Sequence, residues 1–87
     1  NSFGPRSAAK AARAVQLARS IIATELLVSA EGVEAHRPHM SGPVVEDAIK
    51  IIREVVKPLT TDRSPSPDIA AIEKLIAEDA FEHLIQI

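Results

Sequence analysis

Apolar residues recur along this chain at steps of three and four and never alternate with polar ones over the length of a strand, the spacing of helices. The first periodic run predicts a helix from about Ser7 to about Ala35, with Ala11, Val15, Ala18, Ile22, Leu26, Ala30 and Val33 on one stripe. A second stripe, Ala14, Leu17, Ile21 and Val28, lies on the opposite side. Between Ile21 and Ala30 only Thr24, Glu25 and Ser29 interrupt the apolar character, so this part is expected to be covered on most of its surface.

Proline and glycine divide the remainder. Pro43 suits a first helical position, with Gly42 or Ser41 as cap, and predicts a helix over about 43–56 that presents Val45, Ala48, Ile49, Ile52, Val55 and Val56 and stops before Pro58. Glu46–Lys50 and Lys50–Glu54 have the spacing of surface ion pairs. A third helix is predicted over about 67–79, with Ser66 as cap, Pro67 at its first position and Ile69, Ile72, Leu75 and Ile76 inward. The tail, 80–87, carries Phe81, Leu84, Ile85 and Ile87 and is apolar enough to dock. The predicted fold is all-α: one long helix, two shorter ones and an apolar tail.

The length of the first helix is informative. Twenty-nine residues span about 43 Å, whereas a compact chain of 87 residues has a diameter of roughly 31 Å. The rod overshoots any globule this chain builds, and the later helices are too short to wrap it. The chain is therefore expected to be a helical segment of a larger bundle.

Composition removes several functions. Ten Lys and Arg against twelve Asp and Glu leave a net charge of −2, which is not that of a polycationic nucleic-acid binder. The charge is polarised: residues 1–24 hold Arg6, Lys10, Arg13 and Arg19 and no acid, a balance of +4, and residues 25–87 carry −6. Without cysteine there are no disulfides or thiolate metal sites, which fits a reducing compartment, and a cytoplasmic location is expected. No apolar run reaches the eighteen or so residues of a membrane span. With two Phe and no Tyr or Trp, the chain lacks the aromatic lining of small-ligand pockets.

Candidate chemistry is sparse. His36 and His39 are three apart, but Pro38 between them breaks the helix that would align them, so a solvated loop is expected and no metal site. Glu25, alone in an apolar decade, reads either as a carboxylate of raised pKa or as a residue that pairs with a cation on a neighbouring helix or reaches an interface edge, the second reading being expected. Arg6, Lys10 and Arg13 share one helix face and suit an acidic protein surface better than phosphates. Asp62 and Arg63, with the serines after them, suit loop anchoring.

Three segments together resemble the C-terminal part of the aromatic amino acid ammonia-lyases. Asn1-Ser2-Phe3-Gly4-Pro5-Arg6-Ser7-Ala8 opens a helix containing Ala23-Thr24-Glu25-Leu26-Leu27, similar to the stretch after that family's catalytic Glu/Gln-containing motif. Gly32-Val33-Glu34-Ala35-His36-Arg37, followed by Ser41-Gly42-Pro43, resembles the family's turn into the next helix. Asp62-Arg63-Ser64-Pro65-Ser66-Pro67-Asp68-Ile69 resembles its Asp-Arg-x-x-(Ser/Ala)-Pro-Asp-Ile signature. The histidine enzymes are the most similar, through the Ala-x-Glu-x-Leu step; phenylalanine and tyrosine enzymes also fit.

The resemblance implies a C-terminal structural and oligomerisation fragment of a helical homotetramer that eliminates ammonia from an aromatic L-amino acid, L-histidine to urocanate foremost. The partners it implies are the rest of the subunit and its copies, with neither nucleic acid nor membrane. Its 4-methylidene-imidazol-5-one group forms from an Ala-Ser-Gly triplet, absent here, as is the catalytic tyrosine. The chain alone is therefore expected to be inactive, with no catalytic, substrate-binding or metal-binding residue of its own. Asn1 and Ser2 are expected only to adjoin the active site, with the positive pole of the first helix directed toward it. The alternative is a stand-alone helical protein-interaction module.

Overall fold

A computed structural model describes residues 4–84. Three α-helices, α1 (Pro5–Ala35), α2 (Pro43–Val55) and α3 (Ser66–Ala77), are followed by a single 3-10 turn at Glu82–Leu84. The extents are 58 × 38 × 17 Å and the radius of gyration 15.7 Å, above the roughly 12 Å of a compact chain of this length. The 31 residues of α1 run about 46 Å, and the other elements pack on its C-terminal half.

Local chemistry sets the helix ends. α1 begins at Pro5, earlier than the periodicity predicts, because Gly4 adopts the extended cap conformation and proline is preset for the first turn. Gly42 caps α2 in the same way, and Glu46 Oε2 accepts the Ser41 N–H at 2.8 Å. Val56 turns extended as α2 ends, ahead of Pro58. At α3 the expected Ser66 cap is corrected: Pro65 is the cap residue and Ser66 is already helical, its N–H donated to Ser64 Oγ at 3.3 Å.

α3 stops in a Schellman turn. The Asp79 N–H donates to Ile76 O at 3.1 Å and the Ala80 N–H to Leu75 O at 3.0 Å. Asp79 takes the left-handed conformation this requires, φ 56°. The turn brings Phe81 back against the core. Ile85 and Ile87 lie outside the described residues.

The core is small: Ala23, Leu27 and Ala30 from α1, Ile49 and Ile52 from α2 with Val56 beyond it, and Ile72 from α3. On α2, Ala48 is half-buried but Val45 and Val55, expected on the same face, are exposed. On α1 the buried line 23–27–30 shares only Ala30 with the first stripe read from the sequence, and Leu26 and Val33 of that stripe pack beside it. Ile21, Ile22 and Val28 are 64%, 48% and 63% exposed. Every residue from Ala8 to Ala18 is exposed. The chain thus covers one face of one half of its longest helix.

Candidate functional site

Two polar clusters hold the helices together. From α2, Arg53 extends to α1: Nη2 donates to Glu31 Oε2 at 2.5 Å and Nε to Glu34 Oε1 at 2.7 Å. Glu31 Oε2 also accepts the Leu59 N–H at 3.1 Å, tying the segment after α2 to α1. Partial burial alone would raise the Glu31 pKa; the Arg53 and Leu59 hydrogen bonds outweigh it and hold the carboxyl below its ordinary range. Burial opposes the charge of Arg53, but its two carboxylate partners raise its pKa above the ordinary arginine value.

The second cluster fixes the loop into α3. Arg63 Nη2 donates to the carbonyls of Lys57 at 2.5 Å and Pro58 at 3.3 Å, and stands 3.0 Å from Asp68 Oδ2 as an ion pair. That contact lacks hydrogen-bond geometry, and Arg63 Nε and Asp68 Oδ2 are buried without a hydrogen-bond partner among the described residues. Asp68 is the buried polar residue of the described chain, in the first turn of α3. Arg63 and Asp68 of the Asp-Arg…Pro-Asp-Ile stretch are therefore loop-to-helix braces.

Other candidates fall apart or change role. His36 follows the last residue of α1, its Nδ1 2.9 Å from Gly32 O, and Arg37 forms a two-point pair with Glu46 at 3.1 and 2.8 Å. Glu46 is thus engaged by Arg37, where the sequence suggested Lys50. No group of three or more His, Cys, Asp or Glu suited to a metal occurs among the described residues. The expected burial and pairing of Glu25 is corrected: it is exposed beside Ser20, Ile21 and Thr24, and no salt bridge joins it among the described residues. Arg6, Lys10 and Arg13 are exposed. Asn1 and Ser2 lie outside the described residues.

What the fold does present is apolar surface. An open groove of about 510 Å³ lies between α1, α2 and the 3-10 turn, lined by Ile22, Leu26, Val44, Ala48, Ile76, Phe81 and Leu84 with Asp79 and Glu82 at its rim. Sequence periodicity missed it because Phe81 and Leu84 reach it only through the turn at Asp79. Among the described residues no helix is long and apolar enough to cross a membrane. These surfaces offer docking area and no catalytic constellation.

Over most of its length the chain is similar to curated histidine ammonia-lyases. Along 67 residues the chain is 42% identical to histidine ammonia-lyase of Rhodospirillum rubrum, a match covering 77% of this chain and 13% of the relative. Identity is 36% over 83 residues with the Burkholderia pseudomallei enzyme (95% of this chain, 16% of the relative). With the Bos taurus enzyme it is 35% over 77 residues (88% and 12%). This chain is a segment of the ammonia-lyase family. It spans about an eighth of the length of the curated relatives it matches first. No family model and no solved structure matches it.

Proposed function

We propose that the chain is the C-terminal structural and oligomerisation segment of a cytoplasmic ammonia-lyase that converts L-histidine to urocanate. The observation that carries this reading is the pairing of identity to histidine ammonia-lyases with a long helix whose residues from Ala8 to Ala18 are all exposed. In the proposed enzyme the electrophile is a 4-methylidene-imidazol-5-one group formed elsewhere in the polypeptide. When present, that group would supply the electrophilic chemistry for loss of ammonium from the amino acid. The segment contributes α1 as a scaffold rod, the Arg53–Glu31–Glu34 cluster that fixes α2 on it, and Asn1 and Ser2 beside the active site. Assembly as a homotetramer fits the several uncovered faces of α1.

A graft tests this. The 87 residues replace the matching segment of the Rhodospirillum rubrum histidine ammonia-lyase, and ammonia release from L-histidine is measured. The chimera is expected to keep turnover within about tenfold of the parent, a loss of about 1.4 kcal/mol in barrier. A folded, assembled chimera without turnover contradicts the assignment. A chimera that does not assemble points instead to the alternative, a stand-alone helical interaction module, which the uncovered groove at Ile22 and Ala48 also suits.

A further inference from the structure

The loop between α1 and α2 gathers donor groups into one place. Pro38 denies His36 and His39 a common helix, yet the His39 N–H donates to His36 O at 2.9 Å and closes the four residues into a tight turn, whose end Cα atoms lie within about 7 Å. Beside the turn, at the C-terminal end of α1, is an open hollow of about 430 Å³ lined by His36, His39 and Met40 with Ser29, Val33 and Ser41. Two imidazoles and a thioether thus border one space. No carboxylate lines it among the described residues.

The donors are anchored and accessible. His36 Nδ1 is 2.9 Å from Gly32 O; a carbonyl only accepts, so Nδ1 carries the proton and Nε2 keeps its lone pair. A ring N–H held by a backbone carbonyl is the support that orients metal-ligating histidines. The flanks of His39 and Met40 are tied to α2: Arg37 donates to Glu46 at 3.1 and 2.8 Å, and the Ser41 N–H donates to Glu46 Oε2 at 2.8 Å. The same ion pair neutralises Arg37, the cation of the turn. His36, His39 and Met40 are exposed, Met40 at 67%, so an ion reaches them from solvent.

We infer that this hollow binds copper(I), with His36 Nε2, a ring nitrogen of His39 and Met40 Sδ as its ligands. The donor set chooses the ion. A thioether is a soft ligand that suits copper(I). Zinc draws its ligands from thiolate, imidazole and carboxylate and fills four positions in a structural site, and calcium and magnesium take oxygen. The turn supplies the juxtaposition and Glu46 holds it, so the site belongs to the folded loop and not to the bare sequence. It does not draw on the lyase reading, and its test reads copper and not turnover.

Met40 is the single methionine and the chain has no cysteine, so a copper–sulfur signal comes from this residue alone. The 87-residue chain is titrated with copper(I), kept reduced by ascorbate under nitrogen, in competition with bicinchoninate, and the X-ray absorption of the loaded protein is recorded. A single copper(I) per chain is expected, with sulfur among its neighbours. His36→Gln, His39→Gln and Met40→Leu are each expected to weaken binding at least about tenfold, and Met40→Leu to remove the sulfur signal. His83→Gln, at the histidine outside the hollow, is expected to leave binding unchanged. Glu46→Ala keeps all three donors but frees the loop, and is expected to weaken binding while the sulfur signal stays. Circular dichroism of each variant checks that the helices are intact. Equal losses from His83→Gln and His39→Gln, a sulfur signal that survives Met40→Leu, or a chain that takes no copper(I) from bicinchoninate overturns the inference. So does undiminished affinity in Glu46→Ala or in urea that abolishes the helices, since the donors would then bind as loose chain.

Discussion

Arg53 on α2 and Glu31 on α1 meet Nη2 to Oε2 at 2.5 Å, and the Leu59 N–H shares the same carboxylate oxygen. One guanidinium and one carboxylate thereby join α1, α2 and the segment leading to α3. Arg53→Met keeps the stem but strands Glu31 and Glu34 beside each other. It is expected to cost about 1–3 kcal/mol, the range for a part-buried pair that loses one partner. Chemical denaturation measures this; a change below about 0.3 kcal/mol would place the pair with surface ion pairs of no consequence.

The same contacts give stability an acid limit. Glu31 and Glu46 both have lowered pKa values, Glu31 through Arg53 and Leu59 against its burial, Glu46 first through the Ser41 N–H and then through Arg37. The unfolded chain therefore binds more protons than the folded one. The contribution is complete above the ordinary value near 4.5 and is lost as pH falls through the lower folded values. Thermal unfolding between about pH 5 and pH 3 is expected to show a falling Tm, and the Glu31→Gln, Glu46→Gln double variant a shallower fall. Parallel curves for the two proteins would contradict the assignment.

Much of this fold is legible in the sequence, and what is not has identifiable causes. Pro43 and Pro67 announce the second and third helices because proline's fixed φ suits a first turn. The buried line Ala23, Leu27, Ala30 is hidden because α1 is apolar on several sides, and periodicity alone does not choose among them. Glu25 looks buried by its neighbours in sequence and is exposed because its face meets neither α2 nor α3. Asp79 occupies a left-handed position usually marked by glycine, so the turn that sends Phe81 into the core gives no local signal. The resemblance at Asp62 to Ile69 locates a loop without showing that Arg63 clamps the Lys57 and Pro58 carbonyls.

That turn yields its own test. Glycine pays no steric penalty at positive φ, and no side-chain hydrogen bond or ion pair of Asp79 to the described residues is lost on replacement. Asp79→Gly is expected to stabilise the chain by about 0.5 kcal/mol, net of the extra freedom glycine gains when unfolded. A destabilised variant in the same denaturation assay would contradict the Schellman geometry.

Burial ranks two apolar truncations. Ile72 is fully buried at the junction of the helices, whereas Val55 is 48% exposed. Ile72→Ala is expected to cost about 2–5 kcal/mol through a cavity, and Val55→Ala less than about 1 kcal/mol. Comparable losses would place the core elsewhere.

The central claim is that α1 carries more apolar surface than its own chain covers, so the segment is completed by other polypeptide. Sedimentation of the 87-residue chain over a range of concentrations, with side-chain NMR on the same samples, tests it most directly. The account predicts concentration-dependent self-association or the broadened signals of a loosely packed state, with Ile22→Asp altering it far more than Lys50→Ala. A strict monomer with sharp, dispersed side-chain signals at every concentration would contradict it.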